Sequence, residues 1–100
     1  MGATKLDQYS SEIKSTAEIN KVLSHPARLT IIQSLKENPG LRPLDLMKIV
    51  ELSHAATSDH LNRLKLIGVI EYRYEFHFYQ VFLVPEKLKK AIDFLQRMEN

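Results

Sequence analysis

The chain has 100 residues, a formal net charge of +2 and no cysteine. This length predicts one domain over residues 1–100, and the lack of cysteine excludes disulfide scaffolds, thiolate metal sites and cysteine nucleophiles. The apolar runs are too short to span a membrane, and the first residues have no signal-peptide core. We therefore expect a globular protein of the cytoplasm with no membrane partner.

Apolar residues recur at helical spacing in two segments at the start of the chain. The first segment predicts an amphipathic helix over residues 6–23. Ser24 is the expected N-cap of a second helix, which tolerates Pro26 in its first turn. The Asn-Pro-Gly sequence at 38–40 ends this second helix.

Two short helices follow, separated by a tight break at residues 52–53. The third helix begins at Pro43, and its apolar side chains are expected to face inward: Leu44, Leu46, Met47, Ile49 and Val50. Ser53 is the expected N-cap of a fourth helix that runs from about His54 to Leu66 and ends at Gly68. Together the two helices form a predicted helix-turn-helix over residues 43–66.

The pattern then changes from helical to extended. Residues 69–84 are rich in Tyr, Phe, Val and Ile and contain neither Gly nor Pro, which predicts a β-hairpin turning near residues 75–78. Two-residue turns need positive φ angles that Gly adopts most easily, so we expect a wider loop at this Gly-free tip.

A last helix is predicted over residues 86–99, with an apolar face made by Leu88, Ala91, Ile92, Leu95 and Met98. The order α-α-α-α-β-β-α describes a mainly α protein with a β-hairpin, a winged helix-turn-helix. The major groove of double-stranded DNA admits one helix while the hairpin reaches the neighbouring backbone or minor groove. The long apolar faces of helices 6–23 and 86–99 predict a homodimer.

Two sequence blocks resemble the ArsR-type family of bacterial and archaeal repressors. The first is Leu23-Ser-His-Pro-Ala-Arg-Leu29 followed by Ile31-Ile32, and the second is Ser58-Asp-His-Leu61 with Leu64 and Gly68-Val69-Ile70. The resemblance covers roughly residues 15–84 and implies a sequence-specific repressor, in which a dimer occupies two half-sites and blocks polymerase. The resemblance also implies that four residues of the fourth helix face DNA: His54, Ala55, Ser58 and Asp59.

The fourth helix divides into two faces at about 100° of rotation per residue. The inward face carries Thr57, Leu61 and Leu64. The outward face carries Ala55, Ser58, Asp59 and Asn62. Ser58 and Asn62 suit bases or phosphates, whereas Asp59 either accepts from a cytosine amine or is a capping or solvated side chain. We interpret His60, at the edge of the buried face, as a packing or hydrogen-bonding residue.

Positive charge is concentrated in residues 25–66, which hold six basic and four acidic residues. Arg28 either braces the helix-turn-helix, contacts phosphate or is an exposed charge, and Arg42, Arg63 and Lys65 are further phosphate candidates. The predicted DNA-binding residues are Arg28, His54, Ala55, Ser58, Asp59, Asn62, Arg63 and Arg73.

Motifs for metal, cofactor or catalytic chemistry are missing from the sequence. The four histidines (25, 54, 60 and 77) are scattered over the second helix, the fourth helix and the hairpin, and the last helix has none, so we expect neither a metal site nor a cofactor. Ser58, Asp59 and His60 point in different directions on one helix and cannot act as a triad, so no enzyme is predicted. The effector stays open.

The predicted wing departs from the family pattern. Six of the eight aromatic residues lie within residues 72–82, and Phe76 stands where relatives usually have a Gly flanked by Arg or Lys. Arg73 is the one permanent cation of this stretch. An alternative function therefore stays open, a protein–protein interaction module that uses its aromatic wing and binds DNA weakly or not at all. A regulator with a small-molecule pocket between its terminal helices is a third possibility.

Overall fold

Over residues 8–99, which are the residues described, the computed structural model contains five helices and one two-stranded antiparallel sheet. The elements in chain order are α1 (Ser11–Val22), α2 (Pro26–Glu37), α3 (Pro43–Val50), α4 (His54–Leu66), β1 (Ile70–Glu75), β2 (Phe78–Leu83) and α5 (Pro85–Arg97). The predicted order and the winged helix-turn-helix architecture are confirmed. The first part of the predicted helix 6–23 lies outside the described residues.

The start of α1 and the start of α2 differ from the predictions. The Ser10 hydroxyl accepts from the backbone N–H of Ile13 at 3.1 Å, so Ser10 caps α1 and the helix begins at Ser11. The N-cap of α2 is His25 rather than Ser24, because Nδ1 of His25 accepts from the N–H of Ala27 at 3.0 Å. The Ser24 hydroxyl instead donates to the last turn of α1 at 2.7 Å.

The helix-turn-helix is formed as the sequence predicts. Glu51 ends α3 in the left-handed region, with φ of 56°, and this turns the chain sharply. The Ser53 hydroxyl then accepts from the N–H of Ala56 at 3.1 Å and caps α4. Gly68, with φ of 79°, directs the chain from α4 into β1.

The core lies between α2, α3, α4 and the base of the hairpin. Its largest fully buried side chains are Ile31, Leu35, Leu46, Leu61, Leu64, Val69 and Val81. The prediction that all five apolar residues of α3 face inward is wrong for Leu44 and Ile49, which are 48% and 43% exposed. A two-turn helix packed on one side buries only the stripe around Leu46.

The terminal helices α1 and α5 pack against each other outside the helix-turn-helix. Arg97 forms an ion pair with Glu12 at 2.6 Å, so the end of α5 lies beside the start of α1. Both ends of the chain carry apolar side chains that the described chain leaves exposed: Tyr9 and Ile13 at the start, and Ile92, Leu95 and Met98 at the end. Met98 follows the last helical residue as the C-cap, so α5 ends earlier than predicted.

The hairpin tip also differs from the prediction. β1 and β2 pair from Ile70 opposite Leu83 to Glu75 opposite Phe78, which leaves a loop of only Phe76 and His77. The expected wider loop is therefore wrong. Both loop residues adopt positive φ, 52° and 68°, as in the type I′ turns whose twist matches that of paired strands. The ladder of six pairs imposes a conformation that costs roughly 1–2 kcal/mol per non-glycine residue.

Within residues 8–99, none of the helices combines the length and the hydropathy that crossing a bilayer requires.

Two leucines of α4 test the assignment of its buried face. Leu64 is 0% exposed and Leu66 is 84% exposed, although both lie in the last turns of the same helix. We expect Leu64→Ala to lower the free energy of unfolding by about 2–5 kcal/mol, because it leaves a cavity in the core. Leu66→Ala should stay within about 0.5 kcal/mol of the unchanged chain. Urea unfolding followed by circular dichroism measures both, and equal losses would contradict the assignment.

Candidate DNA-binding interface

Helix α4 is held by one face and free on the other. Thr57, Leu61 and Leu64 are buried, and the Thr57 hydroxyl donates to the Ser53 carbonyl at 2.9 Å. On the opposite face Ser58 is half-buried, and the exposed side chains are His54, Ala55, Asp59, Asn62 and Arg63. The structure therefore brings six of the eight predicted DNA-binding residues onto one accessible surface of one helix.

A shallow cleft runs beside this surface and joins it to the hairpin. Its lining includes Ser58 and Asn62 from α4, Met47 from α3 and Tyr72 from β1. The Lys65 ammonium lies 5.1 Å from the centre of the Tyr72 ring, a cation–π contact between α4 and β1. Tyr72 was not among the residues predicted to contact DNA, because strand alternation alone does not show which helix a strand side chain meets.

Arg28 does not belong to the exposed surface of α4 but lies behind it. Its Nε donates to Nδ1 of His60 at 3.1 Å, and its Nη1 donates to the carbonyl oxygen of Val22 at 3.0 Å. Of the alternatives that the sequence left open for Arg28, the structure places it as a brace that joins α1, α2 and α4. His60 is buried and hydrogen-bonded, as interpreted from its position at the edge of the buried face.

Burial lowers the pKa of His60 below its ordinary value of 6.5, and the charges of His25 and Arg28 act in the same direction. The His25 ring packs against it, with 4.4 Å between ring centroids. The bond from Arg28 requires Nδ1 to carry no proton, so a neutral His60 is part of the brace.

Most of the candidate phosphate-binding arginines are paired with acids of their own chain. Arg63 contacts Asp59 at 3.1 Å, one helical turn away, and both side chains are exposed. Arg73, the other predicted DNA-binding residue outside α4, contacts Glu71 at 2.8 Å and lies over the Phe82 ring. The contact with Asp59 orients the Arg63 guanidinium along the outward face of α4. The i, i+4 spacing of this pair was a signal that the sequence did contain.

His25 and His60 are in contact, but the described part of the chain does not add further metal-ligating side chains to this pair. Over residues 8–99, no group of three or more His, Asp or Glu side chains is arranged to hold a metal ion.

The stability of the chain should depend on the protonation of His60. Because the folded state holds the pKa of His60 below 6.5, the unfolded chain binds this proton more readily. The contribution of neutral His60 to the free energy of unfolding is complete above about pH 6.5 and is lost as the pH falls below that value. We expect the free energy of unfolding to decrease between pH 7.5 and 5.5, and to decrease less in His60→Asn, whose amide oxygen replaces Nδ1 as the acceptor.

His54→Asn is the matched control, because His54 is an exposed histidine on the same helix. Chemical unfolding at several pH values measures the effect. A pH dependence that is the same in His60→Asn and in the unchanged chain would contradict this role of His60.

Comparison with known proteins gives a family match that spans the helix-turn-helix. The family model described as "Bacterial regulatory protein, arsR family" matches residues 25–72, from the N-cap of α2 into β1. The HTH-type transcriptional regulator YgaV of Escherichia coli (strain K12) is 38% identical over 68 residues, which cover 68% of this chain and 69% of that protein. The cadmium resistance transcriptional regulatory protein CadC homolog of Staphylococcus aureus is 31% identical over 97 residues, covering 95% and 80%.

Solved structures share the fold. An ArsR-like transcriptional regulator from Rhodococcus sp. RHA1 has a TM-score of 0.80 at 21% identity, covering 90% of this chain and 84% of that chain. The homodimeric winged helix-turn-helix DNA-binding domain of a possible ArsR-family regulator from Mycobacterium bovis has a TM-score of 0.70 at 19% identity, covering 91% and 87%. The matched relatives are transcription regulators and not enzymes. Because this chain matches the family model and is 38% identical to YgaV over about two thirds of both chains, it belongs to the ArsR family of transcription regulators.

Proposed function

We propose that the chain is a homodimeric, sequence-specific repressor that inserts α4 into the major groove of double-stranded DNA in the cytosol. The observation that carries the proposal is the one-sided burial of α4, which leaves a continuous polar surface from His54 to Arg63. A helix of this kind fits the groove, and its N-terminal half faces the base edges.

The residues of this surface take different parts in the proposed complex. Ser58 and Asn62 contact base edges, His54 and Ala55 approach the groove at the helix start, and Asp59 accepts from a cytosine amine or orients its partner Arg63. Arg63 contacts phosphate, since phosphate contacts set the position of a protein on the duplex. Arg28 acts from behind by holding α4 in place.

Dimerisation is proposed through α1 and α5. Ile92 and Leu95 on α5 are 53% and 47% exposed, and Ile13 on α1 is 43% exposed, so both terminal helices present uncovered apolar side chains. A chain of this size gains stability by burying such a region against a second copy. The Mycobacterium bovis domain is homodimeric, and a two-fold dimer presents two α4 helices to successive half-sites. Such a dimer represses by occupying the site that polymerase needs.

We further propose that regulation does not depend on a metal. The relative from Staphylococcus aureus is named as a cadmium resistance regulator, but soft metals of that kind prefer thiolate ligands and this chain has no cysteine. The last helix also has no histidine.

One observation favours a second candidate function, a protein–protein interaction module. In β1 and β2 the one permanent cation, Arg73, is paired with Glu71, while Tyr74, Phe78 and Tyr79 are exposed. Selection from a random DNA pool separates the two functions. An enriched palindrome supports the repressor, and the absence of any enriched sequence supports the module.

Two substitutions on α4 distinguish base contacts from phosphate contacts. We expect Ser58→Ala to weaken binding to the enriched duplex by roughly 1–3 kcal/mol and to change binding to unrelated DNA much less. Arg63→Ala should weaken binding to all sequences alike, because phosphates carry no sequence information. Fluorescence anisotropy with both duplexes measures this. Unchanged affinity in both variants, with the fold intact, would exclude α4 as the DNA-contacting helix.

The dimer interface is tested by a charge placed on α5. Leu95→Glu puts a carboxylate into the proposed apolar interface and should shift the chain to monomers. Gln96→Glu is the matched control, because it adds the same charge at the next, exposed position. Sedimentation equilibrium at micromolar concentration should give about twice the chain mass for the unchanged chain and the control. A monomer in all three samples would refute this interface.

A further inference from the structure

The tip of the hairpin carries an aromatic side chain in an unfavourable backbone conformation. Phe76 has φ of 52° and is 86% exposed, so its ring makes little contact with the rest of the described chain. Gly or Asn would occupy this turn position with less strain. A residue that adds strain and buries almost no surface does not stabilise the fold. This combination is typical of a residue that contacts a binding partner.

The hairpin connects this tip to the outward surface of α4. Tyr72 lies in the cleft with Ser58 and Asn62, and its ring is followed along the same hairpin face by Tyr79 and Tyr74. The ring centroids are 6.1 Å apart for Tyr72 and Tyr79, and 4.8 Å for Tyr74 and Tyr79. The tip is therefore continuous with the surface proposed to contact DNA and is held in position relative to it.

Charge does not explain how this wing would contact DNA. Arg73 is paired with Glu71 at 2.8 Å, and Glu75 next to the tip adds an exposed negative charge. Binding by counterion release needs free cations. Neutral contacts are available instead, because Tyr74 and Tyr79 have exposed hydroxyl-bearing rings beside the tip, and hydroxyl groups can donate to phosphate oxygens.

We propose that Phe76 inserts into the minor groove next to the major-groove site of α4 and partly separates two base pairs. Apolar side chains that enter the minor groove in this way unstack a base step and kink the duplex. Pyrimidine–purine steps unstack most easily, so the enriched sequence should hold a TA, CA or TG step where the wing tip lies. The inference rests on the proposed binding of DNA through α4.

The test compares Phe76→Gly with His77→Gly on the duplex enriched by the unchanged chain. Both variants relieve a positive φ, so both should raise the thermal midpoint by a few degrees. Only Phe76→Gly removes the inserted ring, and we expect it to weaken DNA binding about tenfold. Phe76→Leu keeps an apolar side chain and should retain part of the affinity.

Two readouts identify insertion itself. A 2-aminopurine base placed at the proposed step should become more fluorescent with the unchanged chain and with His77→Gly, but not with Phe76→Gly. The dependence of affinity on salt should be the same for the unchanged chain and Phe76→Gly, because the ring releases no counterions.

The outcomes separate this inference from the proposed function. If the unchanged chain binds its enriched duplex and Phe76→Gly binds equally well, insertion is refuted and a protein partner for the aromatic wing is favoured. Equal losses in Phe76→Gly and His77→Gly would also refute it, because the tip conformation and not the ring would then matter. If the unchanged chain enriches no sequence, the proposed function and the inference fail together.

Discussion

Three side chains on one face of α4, Thr57, Leu61 and Leu64, are almost completely removed from solvent, and the orientation of every DNA contact proposed for α4 follows from their burial. With this face fixed against the core, the side chains about half a turn away face outward. Their short polar groups reach a base edge only if the helix enters the groove deeply, so a rigid attachment matters more here than it would for long basic side chains. The apolar core thus stabilises the fold and sets the proposed DNA-contacting surface at the same time.

The Arg28 side chain extends this attachment beyond the core. It contacts His60 on α4 and the Val22 carbonyl at the end of α1. Helix α1 packs with α5 in the region proposed to form the dimer. Arg28 therefore connects α1, which would help to set the distance between two subunits, to α4, which would contact bases. In the proposed dimer these two hydrogen bonds would couple subunit geometry to half-site spacing, and the bond to His60 depends on that side chain being neutral.

Local patterns in the sequence were sufficient to predict the helices and strands that form the site. They could not predict contacts between residues far apart in the sequence. The three-and-four spacing and the cap at Ser53 predicted α4 and its two faces. The bond between Arg28 and His60 joins positions 32 residues apart, and no local pattern specifies it. The hairpin tip was wrongly expected to be wide because local preference disfavours Phe76 at positive φ, whereas the ladder of strand pairs overrides that preference. The exposed Leu44 and Ile49 escaped prediction because periodicity does not show how much of a short helix its neighbours cover.

The position of α4 in the major groove can be measured directly on the DNA. Replacing single purines of the enriched duplex by 7-deazapurines removes the N7 acceptor of the major groove and leaves the minor groove and base pairing intact. We expect binding to fall at purines in two symmetric clusters about one helical turn apart, centre to centre, one for each α4 of the dimer. If every substituted duplex binds as well as the unsubstituted one, α4 contacts no purine N7 in the major groove, which contradicts the base contacts proposed for Ser58 and Asn62 and with them the central claim.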